Sequence, residues 1–240
     1  MVSYVAGFYR LGESFDDETM RRTLTALHAL NVSFFPAQMW LSKESKATFR
    51  TPVEYQRSLV PEGYYITRDV ARVPLECANG ATLAFTESEN PRNLPANLVM
   101  ELSDRTIAIN GWSLQTLLQI FRAMIETFEP DYAVLYDEAH RDRPTYDQRM
   151  FDFDMRRVPL GLFWINYYGP EWSSNVGVEP LERVRSTLPV VERLDNGGVL
   201  FAIQEAPYDE GIASHRENQQ RLEDLLGLEQ VQGRFPNPGL

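Results

Sequence analysis

The sequence holds a single cysteine, Cys77, in 240 residues. That excludes an intramolecular disulfide and any zinc site built from several thiolates. No run approaches the roughly eighteen continuous apolar residues that a membrane-spanning helix needs, so no span is expected. The start, MVSYVAGFYRLGESFDDE, lacks a basic n-region and a long apolar h-region. It does not read as a signal peptide, and the expected location is cytoplasmic. No Gly-Lys pair occurs, which removes the phosphate-cradling loop of P-loop enzymes, and no Gly-x-Ser-x-Gly elbow occurs for a serine hydrolase. Internal repeats and low-complexity segments are absent too.

Positive charge is also short. Against 34 Asp and Glu stand 23 Lys and Arg, a net charge of −11. Such a surface repels nucleic acid and acidic lipid and favours a basic partner, although acidity also simply keeps a protein soluble. What remains is an ordinary globular composition, 43% hydrophobic and 24% charged. A chain of this length buries one sizeable core, or two small ones, without cross-links.

Val2 to Tyr9 alternates and is rich in β-formers, which predicts a first strand. Ser14 then offers an N-cap for a helix with Met20, Leu24, Leu27 and Leu30 on one face. The pattern loosens from Asn31 to Val60, with Trp40 inside it and a short helix expected after Pro52. Strands are predicted at Tyr64–Ile66, Val73–Cys77, Ala81–Thr86 and Asn97–Leu102, with Asn79-Gly80 as a hairpin turn. Leu114, Leu117, Leu118, Phe121, Met124, Ile125 and Phe128 mark the clearest helix, closed by Glu129-Pro130. Asp131–Tyr136 follows as a strand, then a polar segment to Arg157. Val190–Leu194 and Val199–Gln204 make a second hairpin around Asp195-Asn196-Gly197-Gly198. Ser214 and Glu217 form a capping box for a last helix ending near Gly227. Strands come in runs, so the expected class is α+β with a mainly antiparallel sheet packed by a few amphipathic helices. Residues 1–233 read as one domain and 234–240 as a loose tail.

Apparent catalytic motifs fail when tested. Asp137-Glu138-Ala139-His140 spells a helicase box without its phosphate loop. His140-Arg141-Asp142 imitates a kinase catalytic loop, but Asp147 stands where a metal-binding Asn belongs. Asp137, His140 and Asp142 could converge on a metal, yet they sit in a polar segment with neither His28 nor His215 nearby in sequence. Cys77 falls in a predicted strand, where a thiol is usually structural. No metal, no cofactor and no catalytic group is therefore expected. The alternatives are a small-molecule hydrolase with convergent carboxylates or an interaction module with another kind of partner.

Four stretches carry a family resemblance. They are YVAGFY at Tyr4–Tyr9, FEPDYAV at Phe128–Val134, PLGLFWI at Pro159–Ile165, and NGGVLFAIQE at Asn196–Glu205 with Tyr208-Asp209 behind it. In this order and spacing they resemble the immunity protein 52 family of bacterial polymorphic toxin systems. The resemblance implies an α+β antitoxin, with type VI secretion as the setting, that binds the toxic domain of a secreted effector resembling restriction endonucleases. It brings no catalytic residue and no cofactor. The expected partner is a basic nuclease-like domain, with no nucleic acid and no membrane. The charge agrees in sign, because a nuclease holding phosphates has a basic active face.

Candidate contact residues come from two places. The acidic runs Asp16-Asp17-Glu18, Glu87 with Glu89, Asp137-Glu138, Asp152 with Asp154 and Asp209-Glu210 are each either a solvated face or a rim for the partner. Of these, Asp137 and Glu138 are taken as candidates. In GLFWINYYGPEW, residues 161–172, both strand faces are apolar, so Trp164 belongs to a central, covered strand that Gly169-Pro170 ends. Trp172 is then expected on a loop, either locally packed or, with Tyr168 and Glu171, an anchor for the partner.

Overall fold

The computed structural model describes residues 2–11, 16–30, 36–40, 46–48, 65–67, 70–77, 79–88, 96–141, 153–154 and 156–237. The class is α+β. The chain divides into two compact units, Val5–Pro130 and Asp131–Leu240, with Val2–Tyr4 belonging to the second.

In the first unit, β1 (Ser3–Arg10, from Val5 onward), β2 (Pro36–Trp40), β3 (Lys46–Thr48), β4 (Tyr65–Thr67), β5 (Val70–Cys77), β6 (Thr82–Ser88) and β7 (Ala96–Ser103) lie in the order β1-β7-β6-β5-β2-β3, with β4 also on β5. The β5–β6, β6–β7, β2–β3, β2–β5 and β4–β5 pairs are antiparallel. The Asn79-Gly80 turn forms as expected: Cys77 N–H donates to Ala81 O at 2.8 Å, and Gly80 takes φ 85°. β2 and β3 lie in the stretch whose sequence pattern loosens. The helix expected after Pro52 falls outside the described residues.

Three described helices belong to this unit: α1 (Asp17–Leu30), α2 (Asp104–Ile109) and α3 (Leu114–Phe128). Met20, Leu24 and Leu27 are buried as their spacing requires, but Leu30 is 46% exposed. The cap is Asp16, whose carboxylate accepts from Thr19 N–H at 2.8 Å. That bond, made to the charged form, holds Asp16 below the usual carboxylate range. Ser14, the expected cap, lies outside the described residues. α3 matches its periodicity: Ser113 caps it through Thr116 N–H, and Glu129 ends it in the left-handed region. Phe121 packs on Phe8 with ring centroids 4.8 Å apart.

The second unit contains β8 (Tyr132–Asp137), β9 (Ile165–Tyr168), β10 (Val190–Arg193) and β11 (Val199–Ala202), in the order β10-β11-β9-β8, all antiparallel. β9 is thus a central strand, fully buried along its length. Trp164 is 1% exposed, as the two apolar faces require, and its indole N–H donates to Gln204 O at 3.1 Å. Gly198 has to be glycine: a Cβ there would fall 2.5 Å from the Tyr167 ring and 2.8 Å from Tyr168 O.

Around this sheet lie α4 (Glu138–Arg141), α5 (Pro170–Val176), α6 (Val178–Arg185), α7 (Ala213–Leu226) and α8 (Leu228–Gly233). α7 ends at Gly227 in the left-handed region, as its sequence signals. Its start differs. Ile212 is the cap residue, no side chain caps it, and Ser214 already lies inside the helix, so the expected capping box does not form. Residues 234–236, expected in the loose tail, are held in place. Phe153 bridges Pro236, Asp154 N–H donates to Phe235 O at 2.8 Å, and the Arg157 guanidinium covers the Phe235 ring at 4.6 Å.

Candidate functional site

Asp137 closes β8 and is only 4% exposed. One carboxylate oxygen accepts from Ala139 N–H at 3.0 Å and starts α4; the other accepts from Glu210 N–H at 2.9 Å. This second bond joins two acidic runs, Asp137-Glu138 and Asp209-Glu210, that stand 73 residues apart between Asp137 and Glu210. Asp137 is therefore not the exposed rim charge expected of it. A carboxylate with both oxygens occupied by main-chain donors is a fastening. Glu138, next to it, is exposed.

The segment carrying Asp209-Glu210 has no regular structure, yet side chains hold it along its length. Gln204 Nε2 donates to Ala206 O at 3.0 Å, and Asp209 N–H donates to His215 Nδ1 at 3.1 Å. The Arg216 guanidinium donates to Glu210 O. The Tyr208 hydroxyl, buried at 1% exposure, lies 2.7 Å from Gln219 Oε1 and 3.0 Å from Glu210 Oε2. Beneath it, α7 turns Gln219 and Glu223 inward onto the irregular stretch before β9. Gln219 Nε2 donates to Leu162 O at 2.7 Å, and Leu162 N–H donates to Glu223 Oε1 at 2.9 Å. Gln232 of α8 likewise donates to Pro159 O and Leu160 O at 2.8 and 3.0 Å. These side chains satisfy main-chain groups that the stretch does not pair within a helix or sheet. Sequence reading missed them, and the available signal was polar residues at inward positions of an amphipathic helix.

The aromatic candidates lie elsewhere. Trp172 is on α5 rather than a loop, is 3% exposed, stacks on Tyr132 with centroids 4.1 Å apart, and donates its N–H to Arg156 O at 3.0 Å. Tyr168 is fully buried and meets Phe201 edge-on at 5.2 Å. Both are core, so neither is presented to a partner; local packing is the reading that holds for Trp172. Pro170 at the first helical position and Glu171 in the first turn were the signals for this helix. Only Glu171 of the three is exposed.

The charge is uneven. From Asp131 onward the sequence carries 19 acidic residues against 11 arginines and no lysine, a net −8 of the chain's −11. Several guanidiniums are also committed internally, at helix C-termini where the macrodipole is negative. Arg183 donates to Leu226 O at the end of α7, and Arg234 to Asn175 O and Val176 O at the end of α5. In the first unit Arg22 does the same at Thr127 O. Arg156 grips Asp154 through two bonds of 3.0 and 3.2 Å. Burial acts to raise the Asp154 carboxyl's pKa, but those bonds and the Arg156 charge outweigh it and hold the group below the ordinary range. Burial also pushes the Tyr167 phenol up. Among the described residues no group of three or more His, Cys, Asp or Glu is placed to hold a metal. Asp142 and the side chain of His140 lie outside them.

No family model matches the chain, and no curated protein matches it. Among solved structures its fold is similar to that of a Pseudomonas aeruginosa T6SS protein, PA0821, with a TM-score of 0.59 over 96% of this chain and 73% of that one. Sequence identity is 11%, so the likeness is one of fold. No helix among the described residues is long and apolar enough to cross a membrane.

Proposed function

We propose that this chain is an immunity protein of a type VI secretion setting, one that neutralises a basic, nuclease-like toxin by binding it in the cytoplasm without turnover. The contact surface we assign is the acidic face made by Glu138, Asp209 and Glu210. The observation that carries this reading is the Asp137–Glu210 bond, which fixes two acidic runs side by side in the half of the chain that holds most of the negative charge. A carboxylate face on a rigid support attracts a phosphate-binding surface of opposite charge and costs little ordering on association. The fold likeness to a T6SS protein and the sequence resemblance to immunity protein 52 support the setting.

The test is titration of the purified chain into the toxic domain encoded by the neighbouring reading frame. Activity should vanish at a fixed molar ratio, and the complex should survive gel filtration. Protection at far lower ratios, with the toxin or its product chemically altered, would replace binding by an enzymatic activity.

A further inference from the structure

The hydrogen bonds beneath the acidic face form a directed chain. Tyr208 has one hydroxyl proton and two acceptors within reach, Gln219 Oε1 at 2.7 Å and Glu210 Oε2 at 3.0 Å. The amide of Gln219 has no freedom to turn over. Its oxygen faces the Tyr208 hydroxyl, while its nitrogen serves Leu162 O at 2.7 Å and Glu223 Oε1 at 3.2 Å. Reversing it would set its oxygen against a carbonyl and a carboxylate. Glu223 Oε1 in turn accepts from Leu162 N–H. Gln219 is 1% exposed and Glu223 6%, so water does not substitute for a missing partner without opening the helix.

From this geometry we infer a conformational linkage: the loop bearing Asp209-Glu210 and the docking of α7 onto the Pro159–Phe163 stretch open and close as one unit. Release of the Tyr208 hydroxyl takes that donor from the buried Gln219 Oε1, and α7 brings the oxygen to water only by lifting Gln219 and Glu223, one turn apart, off the stretch together. That frees Leu162 O from Gln219 and Leu162 N–H from Glu223, and no strand among the described residues pairs with either group. Conversely, a ligand that holds the loop closed tightens the buried Leu162 amide, because linkage is reciprocal. The linkage belongs to the free chain; only its use, tuning the affinity of the contact face, rests on the function proposed above.

Hydrogen exchange by NMR on the full free chain tests it, with no toxin present. Tyr208→Phe keeps the ring and removes the hydroxyl; Gln219→Leu keeps the bulk and removes the amide. Tyr208→Phe should speed exchange at residues 205–212 and at the Leu162 amide together, each by about tenfold, as expected for loss of one buried hydrogen bond. Gln219→Leu should do the same or more, and α3 should stay at its wild-type rates in both. If Gln219→Leu fails to fold, Tyr208→Phe decides alone. Faster exchange in the loop with the Leu162 amide unchanged would overturn the linkage, whether or not a toxin binds.

Discussion

Cys77 shows what burial alone does to a reactive group. It is 6% exposed, and desolvation pushes its thiol up to about 12. The thiolate, which is the nucleophile, is then negligible at neutral pH. A thiol reagent at pH 8 should leave the native protein unlabelled and label one group per chain in guanidinium. Native labelling at the denatured rate would mean that the β5 end opens readily. Burial has the opposite use at Asp137. There two main-chain donors take the place of water at the carboxylate oxygens. The same residue type is thus buried support at 137 and only half-buried at 209, and only the fold distinguishes them.

At the scale of elements, Trp164 and Trp172 belong to one prediction. Each is buried with its N–H satisfied by a carbonyl, so replacing either with alanine should cost about 3–5 kcal/mol in denaturant titration. A Trp172→Ala protein of normal stability that releases its partner faster would restore that residue to the interface. α3, the two Asn-Gly hairpins and β9 were legible because their causes are local: period, turn chemistry, and a proline that ends a strand. α2 and α5 were not, though Ser103 and Pro170 mark their starts, since each spans only 6 or 7 residues and offers too few turns for a period. The start of α7 was misplaced for a related reason. Ser214 and Glu217 have the right spacing, but the bonds that fix the preceding loop make Ile212 the first boundary residue. Of the proposed contact face, the acidic runs were visible and their meeting was not. A bond across 73 residues leaves no trace in local spacing.

For the molecule as a whole, charge should govern association. With most of the negative excess after Asp131, and arginines spent on helix ends, raising salt should chiefly slow binding to a basic partner. Glu138→Gln should slow it modestly, leaving dissociation and stability near wild type. Surface-binding kinetics at two salt concentrations check both, and a salt-independent association rate would remove the electrostatic argument. The Tyr132–Trp172 stack carries one more consequence, an optical one. Trp40 and Trp112 lie in the first unit, Trp164 and Trp172 in the second. With the first pair changed to phenylalanine, all remaining indole emission originates after Asp131. The face-to-face tyrosine at 4.1 Å gives Trp172 a chiral surrounding, and so a near-ultraviolet circular dichroism band that disappears when the rings part. Half of the chain can then be watched melting by its own colour of light.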